Sequence, residues 1–450
     1  MRFNCLDDWL SWQETLNPVE IDLGLDRVSA VLQQAGLSSS FESPLITVAG
    51  TNGKGSVVAM LEAIALAAGL KICSYTSPHI FHYNERIKIN AQTVDDEILC
   101  EAFERIDQAR GDTQLTYFEF GTLAAIDLFT REQPDLVILE VGLGGRLDAV
   151  NIMDADVSVL TSISIDHIDW LGDDREVIGF EKAGIMRTGK PVVCGDYKTP
   201  ASVIDLAKQL QCNLLQIGHD YSVNKIDSSN EHLRDVWTLQ SIYGEISELP
   251  PPSLLGEFQK SNAATAIVAM QALQAKGLLS LASKKLDTAL LTNAFATGLK
   301  QINLSARFQQ LNTEPLVYVD VAHNPQAAKV LAAQLNLLKI NKNAKTWAIV
   351  AMLADKDVAG VLGNISAEID CWCFAGMERV NRGLSVSALV ELGQEVLLNQ
   401  CTIQADTVIQ ACQLVLLKAN KEDRIIIFGS FYTAAEAIQF FSTLKNEEHV

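Results

Sequence analysis

The sequence has few basic residues for its size. Lysine and arginine together number 35 against 55 aspartates and glutamates, which gives a formal net charge of −20 at pH 7. A chain this acidic does not attract nucleic acid through its overall charge, and it is repelled by anionic lipid. We therefore expect neither nucleic acid nor a membrane as a partner. An acidic chain that binds an anionic ligand needs a local anion-binding site, and the residues of that site should be recognisable in the sequence.

The sequence also lacks a disulfide framework and long apolar runs. Its nine cysteines are scattered, their number is odd, and no C-x-x-C pair occurs. Most of them stand in apolar runs, as Cys73 and Cys373 do, which is typical of reduced core cysteines in the cytoplasm. No apolar run is long enough to span a membrane. Because Asp7 and Asp8 interrupt the apolar pattern at the N-terminus, we expect no signal peptide and predict a cytoplasmic protein.

The length and the order of patterns predict two α/β domains. A chain of 450 residues with 48% apolar and 20% charged residues is an ordinary globular sequence that is too long for one core. Short apolar runs alternate with helical patterns, which indicates α/β architecture. The helical pattern stops in a polar stretch between Gly298 and Ser305. We predict a P-loop domain with a doubly wound, mostly parallel sheet at 1–300 and a smaller Rossmann-like α/β domain at 301–450.

The most informative stretch is a glycine loop between a strand and a helix. Leu45–Ala49 is a short apolar run that predicts a buried strand, 50–56 reads G-T-N-G-K-G-S, and Val57–Ala68 has a helical composition. This order is the layout of a phosphate-binding loop, in which glycines and a helix start favour an anion. Lys54 would reach the β- and γ-phosphates, and Ser56 would contact Mg²⁺. A glycine-rich turn with an exposed lysine is the alternative.

The spacing of this loop differs from the common Walker A form, G-x-x-x-x-G-K-[ST]. Val48 stands where that pattern has its first glycine, and Gly55 follows Lys54 where the pattern has a hydroxyl residue. The variant instead resembles the loop of the Mur ligases and of the folylpolyglutamate synthases.

Candidate metal ligands lie at or just beyond the C-terminal ends of three predicted strands. Ligands bind at the carboxyl ends of strands in a doubly wound sheet, and a carboxylate inside a buried strand is costly unless it is paired or holds a metal. We predict that Glu140 binds Mg²⁺, with pairing to Arg146 or to the backbone as the alternative. Taken alone, Ser77 is typical of a Ser-Pro turn, and His167 is typical of a structural histidine. The three predicted strands lie at 71–75, 134–141 and 157–165.

Other candidate residues have ordinary interpretations when each is taken alone. Glu119 could be a buried acid or a carboxylate at a helix start. Lys182 follows a glutamate, which is typical of a surface ion pair. Asn262 fits the cap of a helix predicted at 263–275. The polar stretch 222–252 predicts a small β excursion, and the sequence assigns no role to it.

Taken in order, these blocks resemble the folylpolyglutamate synthase family, which is Mur-ligase-like, and most of all its bacterial members that also have dihydrofolate synthase activity. The similarity extends from Asp22 to Phe431, nearly the whole chain. The blocks that carry it are G-T-N-G-K-G-S at 50–56, S-P-H at 77–79, L-E-V-G-L-G-G-R-L-D at 139–148, D-H at 166–167, E-K-A-G-I at 181–185 and A-H-N-P at 322–325. Each block is short, but their common order is specific.

The resemblance implies roles for particular residues. ATP would be bound by Thr51, Asn52, Gly53, Lys54, Gly55, Ser56, Asn262, Arg307 and Asp320. Mg²⁺, in two sites, would be coordinated by Ser77, Glu140 and His167, and Lys182 would be an N6-carboxylated lysine that supports the metal. Dihydropteroate would be bound by Asp22, Leu23, Gly24, Leu25, Thr116, Tyr117, Phe118, Glu119, Leu147, Asp148 and Ala149. The catalytic residues would be Lys54, Lys182 and His323, the last on the glutamate or phosphate side of the cleft.

The resemblance also implies a reaction of folate biosynthesis. ATP would activate a carboxylate as an acyl phosphate, which the amine of L-glutamate then attacks. The substrates would be dihydropteroate and folates, and the reaction would lie in a cleft that closes on them. The T-Y-F-E block at 116–119 favours the bifunctional form over a single-function folylpolyglutamate synthase. A Mur-type ligase on a cell-wall nucleotide would also fit the loop, as would a P-loop kinase or a nucleotide-switched binding protein. A monomer is expected.

Two positions depart from the family pattern. Ala306 stands where a glycine usually precedes Arg307, and Val150 replaces the usual threonine of L-D-A-T-N. Neither change removes a charged or chelating group, so we expect only the details of substrate fit to differ.

Overall fold

The computed structural model describes residues 1–17, 19, 21–225, 235–281, 284–338, 341, 343–394, 396 and 401–448. The chain divides into two compact units. Unit 1 comprises Met1–Ser164, Leu171–Ser253 and Gln259–Asn303, and unit 2 comprises Ile165–Trp170, Leu254–Phe258 and Leu304–Val450. Two short segments therefore group with the C-terminal part of the chain and not with their neighbours in sequence. The domain boundary at residue 300 stays a prediction.

Unit 1 contains an eight-stranded sheet. Its strands are β1 (Leu45–Ala49), β2 (Ile72–Tyr75), β3 (Ile87–Ile89), β4 (Gln92–Thr93), β5 (Leu136–Glu140), β6 (Val157–Leu160), β7 (Pro191–Cys194) and β8 (Asn213–Gln216). Their order across the sheet is β4-β3-β2-β5-β1-β6-β7-β8, and neighbouring strands are parallel except that β3 is antiparallel to both β2 and β4. Because β1 lies between β5 and β6, the segments that follow these three strands leave the sheet at the same edge.

Helices cover this sheet and alternate with its strands. They are α1 (Leu6–Leu16), α2 (Asp26–Gln34), α3 (Lys54–Ala67), α4 (Asp96–Arg110), α5 (Tyr117–Glu132), α7 (Arg175–Ala183), α8 (Ala201–Gln209), α9 (Phe258–Ala275) and α10 (Thr288–Lys300). The short helix α6 (Ile168–Leu171) lies mostly in the segment that groups with unit 2. All five residues of β1 are buried, as expected for a central strand with a continuous apolar run. Thr116 caps α5 in a capping box with Glu119.

The excursion predicted at 222–252 is a three-stranded antiparallel sheet. It consists of β9 (Tyr221–Lys225), β10 (Trp237–Ser241) and β11 (Gly244–Leu249). Residues 226–234 of the predicted stretch lie outside the described part of the chain. A further antiparallel pair is formed by β12 (Ser280–Leu281) and β13 (Lys284–Lys285).

Unit 2 is a six-stranded sheet with helices. The strands are β14 (Gln309–Thr313), β15 (Leu316–Val319), β16 (Thr346–Val350), β17 (Cys371–Ala375), β18 (Cys401–Ala405) and β19 (Arg424–Phe428), and the helices are α11 (Pro325–Leu337), α12 (Val358–Ile365), α13 (Val386–Gly393), α14 (Val408–Leu416) and α15 (Phe431–Glu448). The order is β14-β15-β19-β16-β17-β18, and only β14 runs antiparallel to its neighbour. Its buried core includes Trp372, Phe374, Ile426 and Phe428.

The predicted fold class is confirmed, with two corrections to local elements. The strand predicted at 157–165 ends at Leu160. The helix predicted at 263–275 begins at Phe258, so Asn262 lies inside it and is not its cap. Among the described residues, no helix is long and apolar enough to cross a membrane.

Candidate active site

The glycine loop has a backbone that only glycine adopts easily at two positions. Gly50 has φ +148° and Gly53 has φ +94°. A side chain at Gly50 would place its Cβ 1.8 Å from Thr161 Oγ1, so this position accepts no larger residue without a shift. Gly53 is the N-cap of α3. A glycine turn that leads directly into a helix start is an arrangement that binds phosphate.

Hydrogen bonds fix the loop to the segment after β6. The Thr51 backbone N–H donates to Ser162 O at 2.7 Å, and Ser162 Oγ donates to Asn52 O at 3.1 Å. The Thr51 hydroxyl donates to Ser164 O at 2.9 Å and accepts from Ser164 N at 3.0 Å. These hydrogen bonds between two segments of the chain hold the loop in its observed shape.

Two lysine ammonium groups converge on one carbonyl oxygen of the loop. Lys54 Nζ lies 3.2 Å from Gly50 O, and Lys182 Nζ, from the last turn of α7, lies 3.0 Å from the same atom. Lys182 is buried. The interpretation of Lys182 as half of a surface pair with Glu181 is therefore wrong, and Glu181 instead pairs with Arg146 at 2.8 Å. Two cations at one acceptor repel each other, and a bound anion would offset this repulsion.

The rest of the predicted ATP-binding set in unit 1 lies around the start of α3. Gly55 is in the first turn of α3, and Ser56 is buried with its hydroxyl 3.5 Å from Gln259 Nε2. Asn262 Oδ1 lies 3.0 Å from the place that a Cβ at Gly53 would take. The side chain of Asn262 donates to Gln259 Oε1 at 2.9 Å. The first turns of α3 and α9 thus meet at the loop.

Ser77 and Glu140 come together at the ends of neighbouring strands. Glu140 is the last residue of β5 and is buried. The backbone N–H of Ser77, which follows β2, donates to Glu140 Oε2 at 3.3 Å. A hydroxyl and a carboxylate are oxygen ligands of the kind that hard divalent cations prefer, so this pair fits such a metal. Within the described ranges, no group of three or more His, Cys, Asp or Glu residues is arranged to hold a metal ion.

His167, the third predicted metal ligand, belongs to unit 2. It does not directly follow a strand, because β6 ends at Leu160. Its backbone has φ +53°, a conformation that is uncommon for residues other than glycine. The His167 N–H donates to Asp166 Oδ1 at 2.8 Å, and its carbonyl accepts from Trp170 N at 2.9 Å.

Arg27 joins two of the segments predicted to bind dihydropteroate. Its Nε donates to both oxygens of Glu119 at 2.9 Å, and the same guanidinium pairs with Asp22. Glu119 also accepts hydrogen bonds from the backbone and the hydroxyl of Thr116, at 2.8 and 2.9 Å. Leu23–Leu25 are half-buried and lead from Asp22 into α2. Glu119 is therefore occupied as a helix-start carboxylate and as the partner of Arg27, which the sequence analysis had missed.

The third predicted dihydropteroate segment, Leu147–Ala149, lies beside the second. A Cβ at Gly142 would lie 2.7 Å from the Phe118 ring and 3.3 Å from Asp148 Oδ2, so these two side chains meet over Gly142. Asp148 accepts hydrogen bonds from Leu143 N at 2.8 Å and from Val150 N at 3.0 Å. Burial nevertheless raises the pKa of Asp148 to about 6.

Unit 2 contains the other predicted ATP-binding residues, Arg307 and Asp320. The Arg307 guanidinium carbon lies 5.2 Å from the ring centroid of Phe431. Asp320 accepts hydrogen bonds from Phe308 N at 2.8 Å and from Ala322 N at 2.7 Å. Burial raises the pKa of Asp320 in spite of the nearby charge of Arg307. Ala306 has φ +58°, which explains why the family pattern has glycine there.

A buried charge cluster surrounds Asp166, which the sequence analysis had only noted as part of a motif. Lys356 Nζ lies 2.7 Å from Asp166 Oδ1, while Asn324 Nδ2 and His323 Nε2 lie 3.1 and 3.4 Å from Oδ2. Burial alone would raise the pKa of Asp166, but His323 and Lys356 outweigh it and hold that pKa well below its ordinary value. His323 Nδ1 donates to Val321 O at 2.7 Å. The only sequence signal for Lys356 was its position after a strand.

A parallel sheet with a lysine-bearing glycine loop after its central strand defines a nucleotide-binding α/β protein. Two family models match the chain: the Mur ligase middle domain over residues 48–270 and the Mur ligase glutamate ligase domain over residues 306–431. Both matches include blocks singled out above, G-T-N-G-K-G-S in the first and A-H-N-P in the second.

Relatives and solved structures extend this similarity to the full chain. The dihydrofolate synthase/folylpolyglutamate synthase of Escherichia coli (strain K12) is 40% identical over 442 residues, 98% of this chain and 96% of the relative. The structure of E. coli FolC in complex with DHPP and ADP has a TM-score of 0.87 at 39% identity and covers 98% of this chain and 99% of its own. A bifunctional folylpolyglutamate synthase/dihydrofolate synthase with Mn, AMPPNP and L-glutamate bound has a TM-score of 0.84 at 38% identity, covering 98% of both chains.

The chain therefore belongs to the dihydrofolate synthase/folylpolyglutamate synthase family of ATP-dependent ligases. The family and the enzyme class that the motifs had predicted are thereby confirmed.

Proposed function

We propose that this chain adds L-glutamate to dihydropteroate, forming dihydrofolate, and to folate glutamates, at the expense of ATP. The observation that carries the proposal is the glycine loop at the end of the central strand, which leads into the start of α3 and holds Lys54 Nζ 3.2 Å from Gly50 O. A cation beside a glycine loop and a helix start favours the β- and γ-phosphates of ATP. The molecules bound to the relatives, ADP with DHPP and AMPPNP with L-glutamate, support the choice of substrates.

The reaction has two steps in which the chain's residues mainly position and neutralise charge. A carboxylate oxygen of the substrate attacks the γ-phosphorus of ATP, the bond to the bridging oxygen breaks, and ADP leaves. The amine of L-glutamate then attacks the acyl carbon, an amide forms, and phosphate leaves while the nitrogen loses a proton. Lys54 offsets the negative charge on the transferred phosphoryl group. A divalent metal would add to this neutralisation when bound.

We assign the divalent metal, Mg²⁺ in two sites, to Ser77, Glu140 and His167. We further propose that Lys182 is N6-carboxylated in the active enzyme. Carboxylation would replace the cation next to Lys54 with an anion, which removes their repulsion and provides oxygen ligands for a metal.

The carboxylation of Lys182 can be tested directly. A peptide that contains Lys182, kept at mildly alkaline pH, should have the extra mass of one carbon dioxide. Lys182→Ala should lose activity and regain part of it when short carboxylic acids are added. A fully active enzyme whose Lys182 is unmodified would contradict this assignment.

The other predicted site residues receive roles in the same scheme. In unit 1 the loop residues and Asn262 bind ATP. Dihydropteroate is bound by Asp22–Leu25, Thr116–Glu119 and Leu147–Ala149. Within this set, Glu119 contributes by holding the guanidinium of Arg27 in place. In unit 2 Arg307 and Asp320 contribute to ATP binding, and His323 to the glutamate or phosphate side. The two Mur ligase matches support residues 1–300 as the ATP- and pterin-binding domain and 301–450 as the glutamate ligase domain.

Phosphate release tests the proposed function. The purified chain should release phosphate from ATP with dihydropteroate only when L-glutamate is present, and dihydrofolate should accumulate in equal amount. Release that does not depend on L-glutamate would indicate a kinase or ATPase. Activity with folates but none with dihydropteroate would indicate a single-function folylpolyglutamate synthase.

We also propose that the chain works as a monomer in the cytoplasm. All nine cysteines are free, which fits a reducing compartment. Sedimentation that gives a mass of one chain at working concentration is the expected result, and a stable dimer would contradict the proposal.

A further inference from the structure

Arg86, in unit 1, is a half-buried cation whose neighbours are a histidine and aromatic rings. Its Nε donates to His79 Nδ1 at 2.9 Å. Its guanidinium carbon lies 5.2 Å from the ring centroid of Tyr83 and 5.5 Å from that of Tyr117. Among the described residues, no carboxylate forms an ion pair with Arg86, although the side chain is partly removed from solvent. A cation in such surroundings calls for a compensating anion.

The nearby carboxylates are already used by other groups. Glu85, next to Arg86 in the chain, accepts three backbone N–H groups of the preceding turn at 2.7–2.8 Å. Asp148 accepts two backbone N–H groups, as described above. Another arginine that lies against an aromatic ring, Arg110, is paired with Asp107 at 2.7 Å. Within the described part of the chain, the lack of a carboxylate partner therefore distinguishes Arg86 from Arg110.

Two tyrosine hydroxyls lie next to this guanidinium. A Cβ at Gly121 would lie 2.1 Å from Tyr83 Oη and 3.1 Å from Tyr75 Oη, so both hydroxyls meet over that glycine. Tyr75 Oη also neighbours Arg86. The Tyr83 hydroxyl is buried and has no hydrogen-bond partner among the described residues. Burial raises the pKa of Tyr83 well above its usual value, so the hydroxyl keeps its proton. A buried donor without an acceptor is costly unless something else supplies one.

The group adjoins the block that we assign to dihydropteroate. The rings of Tyr83 and Tyr117 have centroids 5.4 Å apart, and those of Tyr75 and Phe118 are 5.8 Å apart. Tyr117 and Phe118 are half-buried, so the block has a face that solvent reaches.

We propose that Arg86, Tyr75 and Tyr83, here called the Arg86 cluster, form a subsite for a carboxylate of the pterin substrate. The carboxylate is either the benzoate group of dihydropteroate or a glutamyl group of a folate. A guanidinium binds a carboxylate through paired, charge-assisted hydrogen bonds, and a phenol hydroxyl adds a further donor. This proposal rests on the proposed function, since it takes a pterin as the ligand.

Binding measurements with three probes test the subsite. The probes are dihydropteroate, a folate diglutamate, and hydroxymethyldihydropterin, which has no carboxylate. Arg86→Gln should weaken a carboxylate-bearing probe by about tenfold or more, as expected for a lost charged hydrogen bond, and change the carboxylate-free pterin by less than about twofold. Arg110→Gln, the matched control, removes another arginine that lies on an aromatic ring and should not discriminate between the probes.

A second variant keeps the test decisive if Arg86→Gln is unstable. Tyr83→Phe should leave Tm unchanged or raise it, because no described residue pairs with the hydroxyl, yet weaken the carboxylate-bearing probe by about threefold. Tyr221→Phe is its control, since the Tyr221 hydroxyl donates to Cys194 O at 2.9 Å and its loss should lower Tm.

Each outcome has a defined meaning. Selective weakening of dihydropteroate identifies the benzoate carboxylate, and selective weakening of the diglutamate alone identifies a glutamyl carboxylate. Equal weakening of all three probes, or of none, would overturn the subsite. A wild-type chain that binds none of the probes would instead contradict the proposed function itself.

Discussion

Lys182 Nζ donates a 3.0 Å hydrogen bond to the carbonyl oxygen of Gly50, although 132 residues separate them. Lys54 Nζ lies 3.2 Å from the same oxygen. The first residue of the glycine loop therefore holds two cations at the end of β1. This arrangement concentrates positive charge in a protein whose overall charge is strongly negative, at the place where the loop would receive phosphates.

Replacing Lys54 tests the role of this charge. Lys54→Met should lower ATP-dependent phosphate release by about 100-fold or more, because one donor to the developing charge is lost. In the chain with unmodified Lys182 its Tm should not fall, since the repulsion from Lys182 is removed at the same time. Lys71→Met is the control, because Lys71 pairs with Glu132 at 2.9 Å and has no assigned role. Unchanged activity in Lys54→Met would show that the loop does not act on the phosphates.

Gly50 should tolerate no side chain. Gly50→Ala should destabilise unit 1 by about 2 kcal/mol or more, because the new Cβ would lie 1.8 Å from Thr161 Oγ1. Gly36→Ala is the matched control: Gly36 also has a positive φ, +71°, but nothing lies within 4 Å of its Cβ position. Gly36→Ala should lower the free energy of unfolding by only about 1 kcal/mol, through backbone strain. Equal losses in urea unfolding would refute the steric explanation.

The stability of the fold should depend on the protonation of Asp148. The pKa is about 6 in the folded chain, and the ordinary value for an unfolded aspartate is about 3.9. Between these values the folded state holds a proton that the unfolded state has lost. The contribution of Asp148 to the free energy of unfolding should therefore rise by up to about 3 kcal/mol as the pH falls from about 6 to about 4.

Asp148→Asn isolates this effect, because asparagine does not titrate. The difference in the free energy of unfolding between wild type and Asp148→Asn should shift in favour of the wild type as the pH falls through this window. A difference that is constant from pH 7 to pH 4 would contradict the raised pKa.

Asp166 and Lys356 should be strongly coupled. Asp166→Ala should cost about 3 kcal/mol, because it leaves the ammonium of Lys356, whose side chain is only 6% exposed, without its carboxylate. A double-mutant cycle should give a coupling energy above about 1 kcal/mol. The exposed pair Lys421–Glu314, at 3.9 Å, is the control and should show no measurable coupling. Additive effects at Asp166 and Lys356 would show that the pair contributes only through its separate contacts.

The sequence was sufficient for the elements whose signals are local. The strand Leu45–Ala49 has the predicted bounds, because it is a short, mostly apolar run closed by glycine. The glycine loop likewise depends on adjacent residues. Position 50 also requires glycine because a side chain there would collide with Thr161. Thr161 is distant in sequence, so no local pattern reveals this requirement.

Features that depend on distant residues could not be predicted. Arg27 meets Glu119 across 92 residues and Lys356 meets Asp166 across 190, and no periodicity records such pairs. The alternation of apolar residues after Leu160 resembled a continuing strand, but the strand ends there, and from Ile165 the chain groups with unit 2. Sequence patterns predict which elements form, whereas the pairing of charges between them follows from tertiary packing.

The central claim is that ATP activates a substrate carboxylate as an acyl phosphate. It is tested most directly with dihydropteroate in which both carboxylate oxygens are a heavy isotope, incubated with ATP, L-glutamate and the purified chain. The account predicts that the released phosphate contains one labelled oxygen for each dihydrofolate formed, since the attacking oxygen leaves with the phosphoryl group. Dihydrofolate formed together with unlabelled phosphate would contradict it.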